Sequence, residues 1–137
     1  MSYKAINAYQ KDSLKQQLVN ADPHKLTLML MSGAIDRLAY AKGAIDRSDL
    51  VAKSEYLSKA TAIIMNLRDP VDIDVSPEFR ANIVALYNYM LELINEANIN
   101  NSTSEITDVI GLLSPIRDAW ASIPKSEIEA AYQSKSA

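Results

Sequence analysis

Little in this sequence could do covalent chemistry, and its single histidine, His24, is the most conspicuous candidate. One histidine suffices for a phosphotransfer bundle, but it must stand mid-helix and exposed, where a response-regulator pocket can reach it. His24 instead follows Pro23 at the start of a helix, so it reads as a solvated structural residue. Metal and haem sites in helical bundles need several inward carboxylates and histidines, such as Glu-x-x-His pairs. The carboxylates Asp69, Asp72, Asp74, Glu92 and Glu96 show no paired arrangement on an apolar face and read as surface. With no cysteine, thiol catalysis, thiolate metal sites and disulfides are excluded. No serine or threonine has a basic partner in a recognisable motif, and no glycine-rich phosphate loop is present. The chain reads as a non-enzyme with no catalytic residues, no cofactor and no metal.

What the sequence has in excess is apolar helix surface. In Leu26-Thr-Leu-Met-Leu-Met-Ser-Gly-Ala-Ile35, one stripe consists of Leu28, Met31, Ile35 and Leu38, while Leu26, Met29, Leu30 and Ala34 spread to its sides. A helix at the edge of a small domain needs one stripe only. In Leu86-Tyr-Asn-Tyr-Met-Leu91, Tyr87 and Leu91 lie side by side about 100° from the expected seam. Either these helices are buried on several sides, or the surplus is reserved for a partner's helix. Methionines 29, 31 and 90 suit an adaptable partner surface and gap-filling in a core equally well.

The elements that would carry this surface are helices. A chain of 137 residues is the size of one domain, and three Gly, one Phe and one Trp argue against a many-stranded sheet. Asp22-Pro23 is an N-cap followed by proline at the first helical position, opening a helix over about 23–46. Ser48-Asp49 caps a second, over about 49–68, with Tyr56, Leu57, Ala60, Ile63, Ile64 and Leu67 at helical spacing until Asp69-Pro70 stops it. Acids and two prolines make 69–77 a loop, and Ser76-Pro77-Glu78 opens a third helix, over about 77–97. Its seam is Phe79, Ile83, Leu86, Met90, Leu93 and Ala97, and Asn98-Ile-Asn-Asn101 should break it. Ser102 with Glu105 reads as a capping box for a fourth helix, over about 103–122, striped by Ile106, Val109, Ile110, Leu113, Ile116 and Trp120. Pro115 should kink it, and Trp120 should be core.

Short connections between long helices favour antiparallel neighbours. The predicted fold class is therefore all-α: an antiparallel up-down four-helix bundle over 22–123, with an N-terminal arm over 1–21 and a short C-terminal tail over 124–137. The tail should form one helical turn or two and then be flexible. Net charge −3 leaves no basic stripe, so nucleic acid is not an expected partner. No run approaches the roughly 18 apolar residues of a membrane span and no signal peptide is evident, so direct membrane insertion is not expected and the cytoplasm is the default.

Five blocks in order along residues 6–120 carry a resemblance. They are Ile6-Asn-Ala-Tyr-Gln10; Asp22-Pro-His-Lys-Leu-Thr-Leu-Met-Leu30 with Gly33-Ala34; Leu57-Ser-Lys-Ala60 with Ile63-Ile64; Leu86-Tyr-Asn-Tyr-Met90 with Glu96-Ala-Asn98; and Gly111-Leu-Leu-Ser114 with Ala119-Trp120. Through them the chain resembles the FliS-type flagellin secretion chaperones. The resemblance implies a cytoplasmic bundle that binds the disordered C-terminal region of flagellin in apolar grooves, prevents premature polymerisation and delivers it to the cytoplasmic domain of the flagellar type III export gate. It places the cargo groove at Leu28, Met31, Ile35, Leu67, Tyr87, Met90 and Leu91, and export-gate docking at Ile6, Tyr9 and Gln10 of the arm. A homodimer formed by arm exchange is a further expectation. Leu91-Glu92 stands where such proteins often carry an arginine pair, Asn88 stands for a frequent Asp, and Pro115 is unusual. The rival expectations are a phosphotransfer bundle using His24 and an adaptor for an unrelated helical partner.

Overall fold

A computed structural model describes residues 22–69 and 76–136. Ile6, Tyr9, Gln10, the rest of the predicted arm and most of the 69–77 loop lie outside the described residues. Helix α1 spans Pro23–Asp46, and its cap forms as expected, with the Asp22 carboxylate accepting from the Lys25 amide at 2.7 Å. Ser48 turns the chain with a positive φ of 59°, and Asp49 caps α2, Leu50–Arg68, by accepting from the Ala52 amide at 3.1 Å. Helix α3 spans Pro77–Asn100, capped by Ser76 Oγ accepting from the Phe79 amide. It runs three residues past the predicted break. Asn101 ends it in the left-handed conformation that asparagine tolerates, and the Ser102 amide reaches back to the Ala97 carbonyl at 3.2 Å.

The extra turn of α3 has a specific support. Lys53 on α2 is 6% exposed, and its ammonium donates to the Asn98 carbonyl at 3.0 Å and to Asn101 Oδ1 at 2.5 Å. A cation at the end of a helix satisfies orphan carbonyls and complements the negative end of the dipole.

Helix α4, Ser104–Ala121, starts without the predicted capping box. Thr103 is its N-cap residue and makes no side-chain cap bond, while Ser104 Oγ donates to Glu105 Oε2 at 3.1 Å. Hydrogen bonding, chiefly from Ser102, holds the Glu105 carboxyl below its ordinary pKa. Pro115 lies inside α4, which continues as one helix across it. Pro115 and Gly111 are both exposed, so water can serve the carbonyl that the missing amide leaves open. The C-terminal tail carries a helix of about three turns, α5, Lys125–Ser136, where one or two turns were expected. The Pro124 carbonyl accepts from the Glu127 and Ile128 amides to start it, and Glu127 places an acid in the first turn.

Helix α1 packs against α2 and α4, and α3 packs against the same two, so α1 to α4 close into a four-membered bundle. Lys53, near the start of α2, reaches the end of α3, and His24, at the start of α1, reaches the end of α4. Both pairs are therefore antiparallel. The core turns α1 slightly from its predicted stripe: Met31, Ala34, Leu38, Ala41 and Ala44 are buried, whereas Leu28 and Ile35 are half-buried. Ala34, Ala41 and Ala44 on this line, like Ala60 on α2, are fully buried, and such small side chains let packed helices approach closely. On α3, Tyr87 and Ile94 join Met90, Leu93 and Ala97 inside, and Phe79, predicted for the seam, is exposed. The α2 and α4 stripes agree with the sequence, with Leu57, Ala60, Ile64, Leu67, Ile106, Val109 and Leu113 buried.

Candidate partner-binding surface

The seven predicted groove residues divide by depth. Met31, Leu67, Tyr87 and Met90 belong to the contiguous core, and Met90 is 0% exposed. Tyr87, expected beside the seam, is 5% exposed, and desolvation raises its phenol pKa above the ordinary 10.0. Ile35 and Leu91 are half-buried and pack on this core from outside. Leu28 is half-buried and lies apart from it, lining a hollow of about 430 Å³ between the first turns of α1 and α5, together with Ile128, Lys25 and Glu129. The structure thus gathers four of the seven into one interior and leaves three with surface to offer.

Apolar side chains beyond these seven also carry exposed surface. Met65 on α2 and Tyr89 on α3 are exposed, as is Phe79 at the start of α3. Tyr40 and Tyr56 pair across the α1–α2 seam with ring centroids 5.4 Å apart, and Tyr40 is exposed. Val51 is 73% exposed, and Ile99 also stands out in water. Their signal in the sequence was phase: both fall between the stripes of their helices.

His24 is not the solvated residue the sequence suggested. Its ring stacks on the Trp120 indole with centroids 5.0 Å apart and planes 12° from parallel. A carbonyl oxygen only accepts, so His24 Nε2–H donates to the Trp120 carbonyl, at 2.7 Å, and Trp120 Nε1–H donates to the His24 carbonyl, at 3.0 Å. A ring held in this way, half-buried at a helix start, is no acceptor for a response-regulator phosphoryl group. Trp120 is likewise half-buried, not fully in the core.

Electrostatics on this surface are local. Arg68 at the end of α2 donates to Asn88 Oδ1 on α3 at 2.8 Å and to Asp69 Oδ1 at 2.9 Å. Asn88 is thus a tie between helices. Among the described residues no group of three His, Cys, Asp or Glu could hold a metal ion, and no helix is long and apolar enough to cross a membrane.

Comparison with known proteins bears on what such a bundle is for. Residues 5–127 match the family model described as flagellar protein FliS. The chain is 39% identical over 126 residues to the flagellar secretion chaperone FliS of Salmonella typhimurium, covering 90% of this chain and 93% of that protein. It is 38% identical over 120 residues to the flagellar secretion chaperone FliSB of Pseudomonas aeruginosa, covering 88% and 95%. The Bacillus subtilis flagellar secretion chaperone FliS is 36% identical over 120 residues, covering 88% and 86%. The match takes in all four bundle helices, the His24–Trp120 pair and the apolar faces described above, and on that basis this chain belongs to the FliS family.

Proposed function

We propose that the chain is a flagellar export chaperone that acts by binding, not by catalysis. It holds the C-terminal segment of flagellin in apolar grooves, keeps it from polymerising early and delivers it to the export gate. The observation that carries this reading is the 39% identity over 90% of the chain to a protein named as a flagellar secretion chaperone. The apolar surface supports it physically. Leu28, Ile35 and Leu91 are half-buried and available as groove walls, and Met65 and Tyr89 add exposed apolar area. Met31, Leu67, Tyr87 and Met90 form the floor beneath. A segment that folds on binding loses conformational entropy, so a broad apolar surface returns only moderate affinity, which suits a cargo that must later be released.

Within the same proposal, Ile6, Tyr9 and Gln10 dock the chaperone onto the cytoplasmic domain of the export gate, the free protein dimerises by arm exchange, and the site of action is the cytoplasm. Calorimetric titration with a synthetic flagellin C-terminal peptide tests the central claim. One-to-one binding with a strongly negative heat-capacity change is expected, since burial of apolar surface has that signature. Absence of binding would remove the reading. For the arm, Tyr9→Ala should spare peptide binding and impair capture by the purified gate domain, and equal loss of both would refute that division.

A further inference from the structure

Helix α5 touches the bundle lightly. Among its described side chains Ile128 is half-buried and the others are exposed. No ion pair among the described residues joins α5 to another helix. Ile128 and Leu28 are the apolar lining of the hollow of about 430 Å³, to which the capped start of α1 adds Asp22, His24 and Lys25 and α5 adds Lys125 and Glu129. The charges are complementary but unclosed. An isolated helix as short as α5 is marginal in water, so α5 depends on this contact for its position. Residues 122–124, outside any helix, join it to α4. The family match stops at residue 127, one short of Ile128.

Leu28 is also the one proposed groove residue that neither belongs to the core cluster nor packs against it, and it shares its hollow with α5. A polypeptide seated on Leu28 would meet the α5 side chains that wall the same hollow.

We infer that α5 is a strap, pinned by Ile128, that occupies the α1 end of the partner groove and must swing aside before a bound polypeptide can sit on Leu28. This rests on the chaperone reading and deepens it: the strap competes with cargo for one subsite and sets the affinity there.

Two altered full-length proteins test it. Ile128→Glu keeps a good helix former and removes the pin. Lys25→Cys with Glu129→Cys, in a chain with no cysteine of its own, can be joined by a bis-maleimide whose linker is cleaved by reductant. In titrations with the flagellin C-terminal peptide, Ile128→Glu should bind roughly three- to tenfold more tightly than wild type, the scale of releasing half of one isoleucine burial. The cross-linked protein should bind more weakly until the linker is cut. Equal affinity in all forms overturns the strap. Should no form bind the peptide, the chaperone reading fails, and amide hydrogen exchange still decides the strap: residues 125–131 and 24–28 must exchange faster in Ile128→Glu than in wild type, and unchanged rates refute it.

Discussion

His24 and Trp120, 96 residues apart, grip each other twice, each side chain donating to the other's backbone carbonyl while the rings stack at 5.0 Å. The pair closes the bundle at the seam where its first and last members meet. It also fixes the end of α4, from which α5 departs. The chemistry that looked available at His24 is thereby spent on structure.

Trp120 should therefore matter to stability, though less than a fully enclosed aromatic. Trp120→Ala is expected to cost about 2–3 kcal/mol, below the roughly 3–5 kcal/mol of a buried Trp or Phe, because the ring is half-buried. Trp120→Phe keeps a stacking ring and loses one donor, for about 1 kcal/mol. Urea unfolding followed by far-UV circular dichroism measures both. If Trp120→Phe costs as much as Trp120→Ala, the hydrogen bond and not the stack holds the seam.

Lys53 presents the opposite case, a charge kept inside by carbonyl partners alone. Lys53→Met preserves the apolar stem and leaves the Asn98 carbonyl and Asn101 Oδ1 without their donor. A loss of about 1 kcal/mol follows from the missing hydrogen bonds, because Asn98 and Asn101 are exposed and water can serve their oxygens. Hydrogen exchange should show fraying confined to the last turn of α3. Fraying spread evenly over the bundle would mean that Lys53 supports packing generally.

The fold was readable because caps and stripes are local signals. Asp22-Pro23, Asp49 and Ser76-Pro77 set three helix starts, and the α2 and α4 stripes chose their own buried faces. Features that failed to show depend on contacts far along the chain. The last turn of α3 persists because Lys53 lies 45 residues away from Asn98 in sequence and beside it in space. Tyr87 turned inward although a 3.5-residue rhythm excluded it, since α3 is enclosed by α2 and α4 and needs a wider buried face than one stripe. The site was half legible for the same reason: apolar excess announces surplus surface, but depth is decided by neighbouring helices. Helix α5 is hard to see in the sequence because its twelve residues are mostly polar, and the hollow that Ile128 lines is shared with Leu28, far away along the chain.

Tyr87 gives the core a pH limit. Burial raises its pKa above 10.0, so the folded state holds the neutral phenol more firmly than the unfolded chain does. The stabilisation is complete below pH 10 and is lost as pH rises from there through the higher folded value. Tyr87→Phe should lower stability slightly at pH 8 and flatten the fall in Tm above pH 10 relative to wild type. Parallel curves for the two proteins would show that other groups govern alkaline unfolding.

Depth also separates what groove and core substitutions should do. Met90 is fully enclosed, so Met90→Ala opens a cavity and should cost about 2–5 kcal/mol, with any loss of flagellin-peptide binding explained by the unfolded fraction. Leu28 borders the hollow, where a carboxylate keeps access to water. Leu28→Glu should leave the folded protein within about 1 kcal/mol of wild type, as surface changes usually do. In the complex with the peptide it would place an unpaired charge against an apolar face, and binding should weaken about tenfold or more, equivalent to at least about 1.4 kcal/mol. Chemical denaturation and calorimetry on the same preparations give both numbers. The reverse ranking, with Met90→Ala losing binding at full stability and Leu28→Glu binding normally, would move the cargo surface away from the α1 start and require the bundle to open for its client.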